Sequence, residues 1–133
     1  MTLPLNTTDD ELLGFVEMWI DDLARGDFAG AFARTKHDAY YAWTPELLES
    51  VIAGYGLPEP HPSGTHYVVT SRAAARGRAH TRTVEREDAS SPIVARLYHD
   101  LPLNGEWSDL TASFRVERTP DGLDVILEEI HVY

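Results

Sequence analysis

The sequence of 133 residues contains no cysteine. A disulfide framework, a cysteine nucleophile and a thiolate metal site are therefore all excluded. The chain is long enough to bury a hydrophobic core without covalent or metal cross-links. A cysteine-free composition suits a reducing compartment, and we expect a cytoplasmic protein.

Long hydrophobic runs are also missing. No apolar stretch approaches the roughly 20 residues that a helix needs to cross a bilayer. The first ten residues lack the basic region and the following apolar region of a signal peptide. We therefore expect neither membrane insertion nor export.

Basic residues are scarce: 11 lysines and arginines stand against 22 aspartates and glutamates, which gives a net charge of −11. The first 60 residues carry 11 of the acids and only 3 of the bases. An acidic surface repels phosphate backbones, so nucleic-acid binding is not expected. The charge could steer a basic partner toward the protein, although solubility is the simpler explanation for it.

Motifs for cofactors and metals are absent from the sequence as well. There is no zinc-protease helix motif, phosphate-binding loop or glycine-rich dinucleotide turn, and we expect no cofactor. His61 and His66 lie near prolines without a matching carboxylate spacing, so no metal site is expected. Ser108 lacks the strand–turn–helix elbow of a nucleophilic serine.

Three amphipathic helices are predicted in the first half of the chain. Thr8 and Glu11 have the spacing of a capping box, and the apolar residues that follow recur at the helical period. Asp27 can cap a short second helix, and Thr44 with Pro45 suits the start of a third. The first two predicted helices span residues 9–25 and residues 28–35. The third begins at Thr44-Pro45, has an apolar stripe that extends to Tyr55, and is ended by Gly54 and Gly56.

The C-terminal third predicts a three-stranded antiparallel meander over residues 93–103, 106–118 and 123–133. Asn104-Gly105 suits a two-residue hairpin loop, because both of its central positions need positive φ. Composition also predicts strands at residues 65–71 and 81–87. Helices followed by strands are the α+β pattern. We predict one domain over residues 1–133, with N-terminal helices packed on a curved, mostly antiparallel sheet.

Two segments resemble known domains. The stretch ELLGFVEMWIDDLARGDFAGAFA resembles the helical opening of the nuclear transport factor 2-like superfamily, in which a curved sheet wraps around helices to form a cone. The ending GEWSDLTASFRVERTPDGLDVILEEIHVY resembles uncharacterised bacterial domains. The superfamily contains isomerases, dehydratases, cyclases, hydrolases and non-catalytic binding modules. Its catalytic members use carboxylates or histidines inside the cone, but the resemblance transfers no catalytic role to a residue of this chain.

The two-residue loop fixes which residues of the first hairpin face each other. His99 then lies on the apolar core face opposite Leu110, and Asp100 lies opposite Asp109 on the other face. Opposed carboxylates raise each other's proton affinity, which makes Asp109 a candidate general acid or base. Solvation or a neighbouring arginine is the alternative for the aspartates. His99 is either a satisfied core histidine or a pocket residue and catalytic candidate.

The second turn determines the position of His131, a third catalytic candidate. A three-residue loop with a glycine bulge pairs Thr119 with Leu123 and places His131 beside Thr111 on the outer side of the sheet. A four-residue loop would instead bring His131 next to His99, with a glutamate nearby. That cluster would suit acid/base chemistry or metal binding. The bulged register is the preferred one.

Aromatic residues mark candidate binding surfaces. Tyr40, Tyr41 and Trp43 precede the third helix and either roof a ligand cavity or pack in the core. Tyr98 and Trp107 fall on the outer side of the sheet in the predicted register, which favours a partner or dimer surface there. Three aliphatic residues extend the same side: Val94, Val125 and Leu127.

A local basic segment interrupts the acidic chain. Its five arginines are Arg72, Arg76, Arg78, Arg82 and Arg86. We expect them to pair with acids of the helices across the surface. Binding of an anionic ligand is the alternative, because guanidinium matches the geometry of carboxylates.

Two functions follow as alternatives. The first is a non-catalytic binding or protein-interaction module, which would form a homodimer or bind a basic protein, as an acidic bacterial antagonist of a basic toxin would. The second is a small cofactor-independent isomerase, dehydratase or hydrolase acting on a hydrophobic small molecule, with His99, Asp109 and His131 as acid/base candidates. A carrier of a small hydrophobic ligand would use the same cavity without chemistry.

Overall fold

The computed structural model of the protein describes residues 1–88 and 90–133. Its elements in chain order are β1 (Thr2–Leu3), α1 (Asp9–Ala24), α2 (Phe28–Arg34), β2 (Lys36–His37), α3 (Pro45–Ala53), β3 (Arg82–Arg86), β4 (Ile93–Leu103), β5 (Glu106–Thr119) and β6 (Gly122–Val132). The helices pack on a sheet with the strand order β1-β6-β5-β4-β3, and β2 pairs in parallel with β6. The predicted α+β fold, with N-terminal helices on a mostly antiparallel sheet, is confirmed.

The helix ends follow the local sequence signals. The Thr8 hydroxyl accepts the backbone N–H of Glu11 at 3.2 Å, and the Glu11 carboxylate accepts the backbone N–H of Thr8 at 3.0 Å. This reciprocal pair is the predicted capping box. Asp27 and Thr44 cap α2 and α3 with their own side chains. Helices α1 and α2 each end one residue earlier than predicted.

One predicted strand does not form. Residues 65–71 make only an isolated bridge, between Val69 and Leu103. The backbone N–H of Val68 instead donates to the side chain of Asn104 at 3.0 Å, so a side-chain bond replaces part of the expected ladder. β1 and β2 were not predicted, because two residues are too few to show an alternating pattern.

The first hairpin turns at Asn104-Gly105 as predicted, with φ values of 51° and 85°. The first two residue pairs after the turn match the expected register. Residues 108–110 of β5 then lie opposite the single residue Leu101 of β4. This bulge, which the sequence pattern did not predict, shifts the following pairs by two residues.

The shift corrects two predicted pairings but preserves the faces of the sheet. His99 pairs with Ala112, and Asp100 pairs with Thr111 rather than with Asp109. Because side chains alternate with a period of two, an even shift leaves residues 95–100 on their predicted faces. The proposed contact between opposed aspartates is therefore wrong, whereas the core position of His99 is confirmed. A second register shift in β4, between Ile93 and Ala95, accompanies the placement of Val94 in the core.

The second hairpin closes with a two-residue loop rather than the predicted three-residue loop. Thr119 pairs with Gly122 instead of Leu123. The bulge that was predicted at the turn lies further along β6 instead. Leu127 and Glu129 pair with the adjacent residues Phe114 and Ser113 of β5, and Glu128 between them has no partner residue in β5.

The position of this bulge decides which residues of β6 face the core. Val125 and Leu127 are fully buried in the hydrophobic core, so their predicted place on the outer side is wrong. Val94 is also part of the core. His131, which follows the bulge, pairs with Thr111 as the preferred register predicted.

The hydrophobic core lies between the helices and the inner side of the sheet. Trp19 of α1 and Phe114 of β5 are both fully buried and meet edge to face, with ring centroids 5.1 Å apart. Side chains from all three helices join this cluster. Within residues 1–88 and 90–133, none of the helices has the length and apolarity that a membrane crossing requires.

Candidate functional site

The sheet has a second side, opposite the helices, which we call the outer face. Alternation along the strands places there Thr83, Glu85, Arg96, Tyr98, Ser113, Arg115, Glu129 and His131, joined by Glu128 at the β6 bulge and by Tyr133. Helix α1 contacts β3 and β4 from the other side. In the part of the chain that the structure describes, no helix covers the outer face.

Two arginines organise the centre of the outer face. The Arg115 guanidinium binds three carboxylates, at 2.7, 2.7 and 3.1 Å: Asp38, Glu117 and Glu128. Arg96 binds Glu128 at 2.8 Å and lies 3.4 Å from Glu87. These two guanidiniums face the six carboxylates that lie on or beside the outer face: Asp38, Glu85, Glu87, Glu117, Glu128 and Glu129. Acid is therefore in excess after the ion pairs have formed.

Two tyrosines border this network. The rings of Tyr98 and Tyr133 meet edge to face with centroids 5.9 Å apart, and they line an open cavity of about 240 Å³. Burial raises the pKa of both phenols, and the charges of Glu85 and Glu129 raise those of Tyr98 and Tyr133 respectively. Both hydroxyls therefore stay neutral and can donate hydrogen bonds to a partner.

The aromatic residues before α3 lie beside the same acids. Tyr40 is 84% exposed and contacts Tyr41, and the Trp43 indole donates to the Glu128 carbonyl oxygen at 2.9 Å. Burial, followed by the charges of Glu128 and Glu129, raises the pKa of Tyr41. These residues extend the aromatic border along the edge of β6, while Trp43 also packs against the core.

His99 is fully buried, and both of its ring nitrogens are engaged. Nδ1 lies 2.7 Å from the Asp100 carbonyl oxygen, and Nε2 lies 3.2 Å from the Glu17 carboxylate. These two contacts hold the ring between its own strand and helix α1. A substrate would have no surface of His99 to contact.

Glu17 links helix α1 to the sheet. It accepts from Arg82 at 2.9 Å as well as from His99. Burial alone would raise the pKa of Glu17, but the hydrogen bonds from Arg82 and His99 outweigh it, and the net effect lowers the pKa. The carboxylate therefore stays ionised and holds both Arg82 and His99.

Three of the five arginines of the basic segment pair with acids of α1 as expected, whereas Arg76 pairs with Glu106 of β5. Arg72 binds Asp21 through two bonds of 2.8 and 2.9 Å, Arg82 binds Glu17, and Arg86 binds Asp9 at 2.7 Å. Alternation along β3 sends Arg82 and Arg86 to the helix side of the sheet. These contacts engage three of the five arginines that could have bound an anionic ligand.

Asp100 and Asp109 have separate roles. Asp100 is buried and accepts the backbone N–H groups of His80 and Thr81, both at 3.0 Å, and the Thr111 hydroxyl at 2.7 Å. These donors satisfy its charge and fix the segment before β3. Asp109 lies in the β5 bulge and accepts a hydrogen bond from the Tyr55 hydroxyl.

His131 lies on the outer face, on the other side of the sheet from His99. Its side chain is 40% exposed, with Nδ1 3.3 Å from Glu129 and the ring centroid 3.9 Å from that of Tyr133. The alternative cluster of two histidines and a carboxylate therefore does not form. Among the residues described, no group of three or more histidine and acid side chains is arranged to hold a metal ion.

Trp107 does not lie on the outer face as predicted. Its ring centroid is 5.9 Å from that of His99, and it lines a cleft of about 520 Å³ between α1 and residues 71–73. The Arg72–Asp21 ion pair lines the same cleft.

Sequence reasoning missed Glu17 and the network around Arg115. A signal for Glu17 was present. Arg82 and Arg86 each lie two positions from the partly buried Val84, so all three side chains share the face of β3 that points toward the helices. The Arg115 network had no such signal, because it depends on the bulge at Glu128. Comparison with known proteins gives no match: no family model, curated protein or solved structure is similar to this chain.

Proposed function

We propose that the protein is a non-catalytic interaction module whose outer face binds a basic protein. The observation that carries this proposal is the excess of carboxylates on a sheet face that no described helix covers and that tyrosines border. Tyrosines contribute contact area at low entropic cost and can stack with arginine or lysine. Antagonism of a basic protein by masking its charged surface is one role that such a module would serve.

The burial of His99 supports binding over catalysis. A general acid or base has to reach the proton that it transfers, and His99 has no exposed surface. Asp109 and His131 lie on different parts of the sheet and share no contact with His99. The three catalytic candidates therefore do not form one constellation.

A second copy of the chain is the other occupant that the outer face would accept, and it corresponds to the predicted homodimer. A symmetric dimer through this face would bring two acid-rich surfaces together. Like charges across an interface oppose association. Charge complementarity therefore favours a basic partner over self-association.

The test compares two variants of equal charge. Glu85→Gln with Glu129→Gln removes two exposed carboxylates from the outer face, and Glu46→Gln with Glu49→Gln removes two from the exposed side of α3. Binding of a fluorescent polyarginine peptide is measured by anisotropy. We expect the outer-face variant to bind about threefold to tenfold more weakly than the wild type, and the α3 variant to lose much less. Equal losses would mean that the peptide senses net charge and not this face.

A further inference from the structure

A tyrosine occupies an unusual backbone position at the end of α3. The N–H of Gly56 bonds to the Val51 carbonyl at 2.8 Å and that of Tyr55 to the Ile52 carbonyl at 3.1 Å, which is the Schellman pattern. Tyr55 then holds the left-handed position, with φ of 57°, that usually belongs to glycine. A left-handed conformation has an energetic cost for a non-glycine residue, because its Cβ approaches the following carbonyl oxygen. Interactions of the tyrosine side chain must offset that cost.

The Tyr55 side chain meets a second irregularity of the backbone. Its hydroxyl donates to Asp109, which the three-residue bulge of β5 brings out of the strand ladder. The Ser108 hydroxyl closes this bulge by donating to the Leu101 carbonyl oxygen at 2.7 Å. Burial, followed by the hydrogen bond to Asp109, raises the pKa of Tyr55 to about 12, so the phenol keeps its proton.

These two irregularities border a small cavity with aromatic walls. Its volume is about 310 Å³, and its lining residues are Tyr55, Tyr67, Leu103, Asn104, Glu106, Trp107 and Ser108. The rings of Tyr55 and Tyr67 are 4.7 Å apart. The volume lies at the lower end of the range for ligand pockets, which suits a small molecule or a single side chain.

We propose that this cavity binds a small organic cation, an ammonium or guanidinium group. Faces of tryptophan and tyrosine attract cations, and the carboxylates of Glu106 and Asp109 supply negative charge. Glu106, which lines the cavity, already binds one guanidinium, because Arg76 donates to its Oε1 at 2.7 Å. The bound cation would use Oε2 of Glu106 and the ring of Trp107. The cavity shares no residue with the outer face, so the two proposals stand or fall separately.

The experiment titrates the whole protein with choline and with its neutral isostere, in which carbon replaces the quaternary nitrogen. The indole N–H signal of Trp107, assigned by its loss in Trp107→Phe, reports binding in a proton–nitrogen correlation spectrum. We expect a saturable shift with choline and at least about tenfold weaker binding of the isostere. Equal binding of the two compounds would overturn the proposal, as would the absence of a saturable shift both with choline and with the blocked amino acids described below.

Two variants make the assignment specific. Glu106→Gln removes charge from a side chain that is 63% exposed and should weaken choline binding about threefold or more. Tyr40→Ala removes an exposed tyrosine that does not line this cavity and should leave choline binding unchanged. Choline affinity that is insensitive to Glu106→Gln would contradict the role given to this carboxylate.

A second titration separates the two sources of the cation. Blocked single-residue derivatives of lysine and arginine are compared with choline on the same Trp107 signal. Preferential binding of a blocked amino acid supports a protein side chain as the natural occupant. Preferential binding of choline supports a free quaternary ammonium compound, and binding of neither class overturns the proposal.

Discussion

Glu17 is the residue through which α1 holds the buried His99 and the edge strand β3. Its carboxylate accepts from His99 and from Arg82, and only 18% of its side chain is exposed. Replacing it with glutamine removes the counter-ion of Arg82 and the carboxylate that His99 contacts. We expect Glu17→Gln to lower the free energy of unfolding at neutral pH by about 1–3 kcal/mol, measured by urea denaturation.

The pH dependence of this loss has a defined sign. The pKa of Glu17 is lowered on folding, so its ionisation adds stability above the ordinary value of 4.5 and the contribution is lost as pH falls through the folded value. The difference in stability between the wild type and Glu17→Gln should therefore shrink in acid. Glu46→Gln, on an exposed position of α3, serves as the control and should change stability little at any pH. A constant difference across the acid range would contradict this account.

Ala42 carries backbone strain that glycine would relieve. Its φ is 53°, whereas the nearby exposed Ala39 has no positive φ. Glycine at either position gives the unfolded chain more freedom, which costs about 0.4–1 kcal/mol of stability. Only at residue 42 does it also remove left-handed strain of about 1–2 kcal/mol. We expect Ala42→Gly to be more stable than Ala39→Gly by about 1 kcal/mol in thermal or urea unfolding.

At the scale of the elements, two glycines of the helical region have opposite roles. Gly14 lies inside α1, and a Cβ built there meets no atom within 4 Å. A Cβ at Gly54, the C-terminal cap of α3, would lie 2.0 Å from the Leu57 carbonyl oxygen and 2.2 Å from that of Glu59. Gly54 is therefore required by the close approach of the chain that leaves α3.

Alanine substitutions should separate these two roles. Gly14→Ala should raise the free energy of unfolding by about 0.5–1 kcal/mol, because alanine has the higher helix propensity. Gly54→Ala should lower it by about 1–3 kcal/mol, because the backbone of residues 57–59 has to move. Thermal unfolding followed by circular dichroism gives both changes. A stabilising Gly54→Ala would show that the turn adapts without cost.

At the scale of the whole molecule, net charge opposes self-association through the outer face and favours a basic partner. Salt separates these two cases, because it screens both repulsion and attraction. Raising NaCl from about 50 to about 500 mM should weaken binding of the polyarginine peptide. Light scattering on the isolated protein should give the 14.9 kDa monomer at low salt. A dimer that forms only at high salt would identify a second copy as the occupant of the outer face.

Most of the fold was predictable because its signals are local. The capping box at Thr8, the proline after Thr44 and the Asn104-Gly105 turn each act within a few residues, and each forms as expected. The site was less predictable. Pairing of Asp100 with Asp109 assumed an unbroken ladder, whereas the bulge at residues 108–110 moves Asp109 to Tyr55. A bulge is selected by packing between distant segments and leaves no period in the sequence.

The sequence by itself determined the helices, the order of the main strands and the face on which His99 lies, because capping, turn chemistry and periodicity depend on neighbours along the chain. Only the tertiary structure decided what each polar side chain contacts. Glu17 meets His99 across 82 positions of sequence, and Tyr55 meets Asp109 across 54. Such pairs depend on how helices dock on the sheet and on where three irregularities shift its register. The burial of His99 and the acidity of the outer face are therefore properties of the folded molecule.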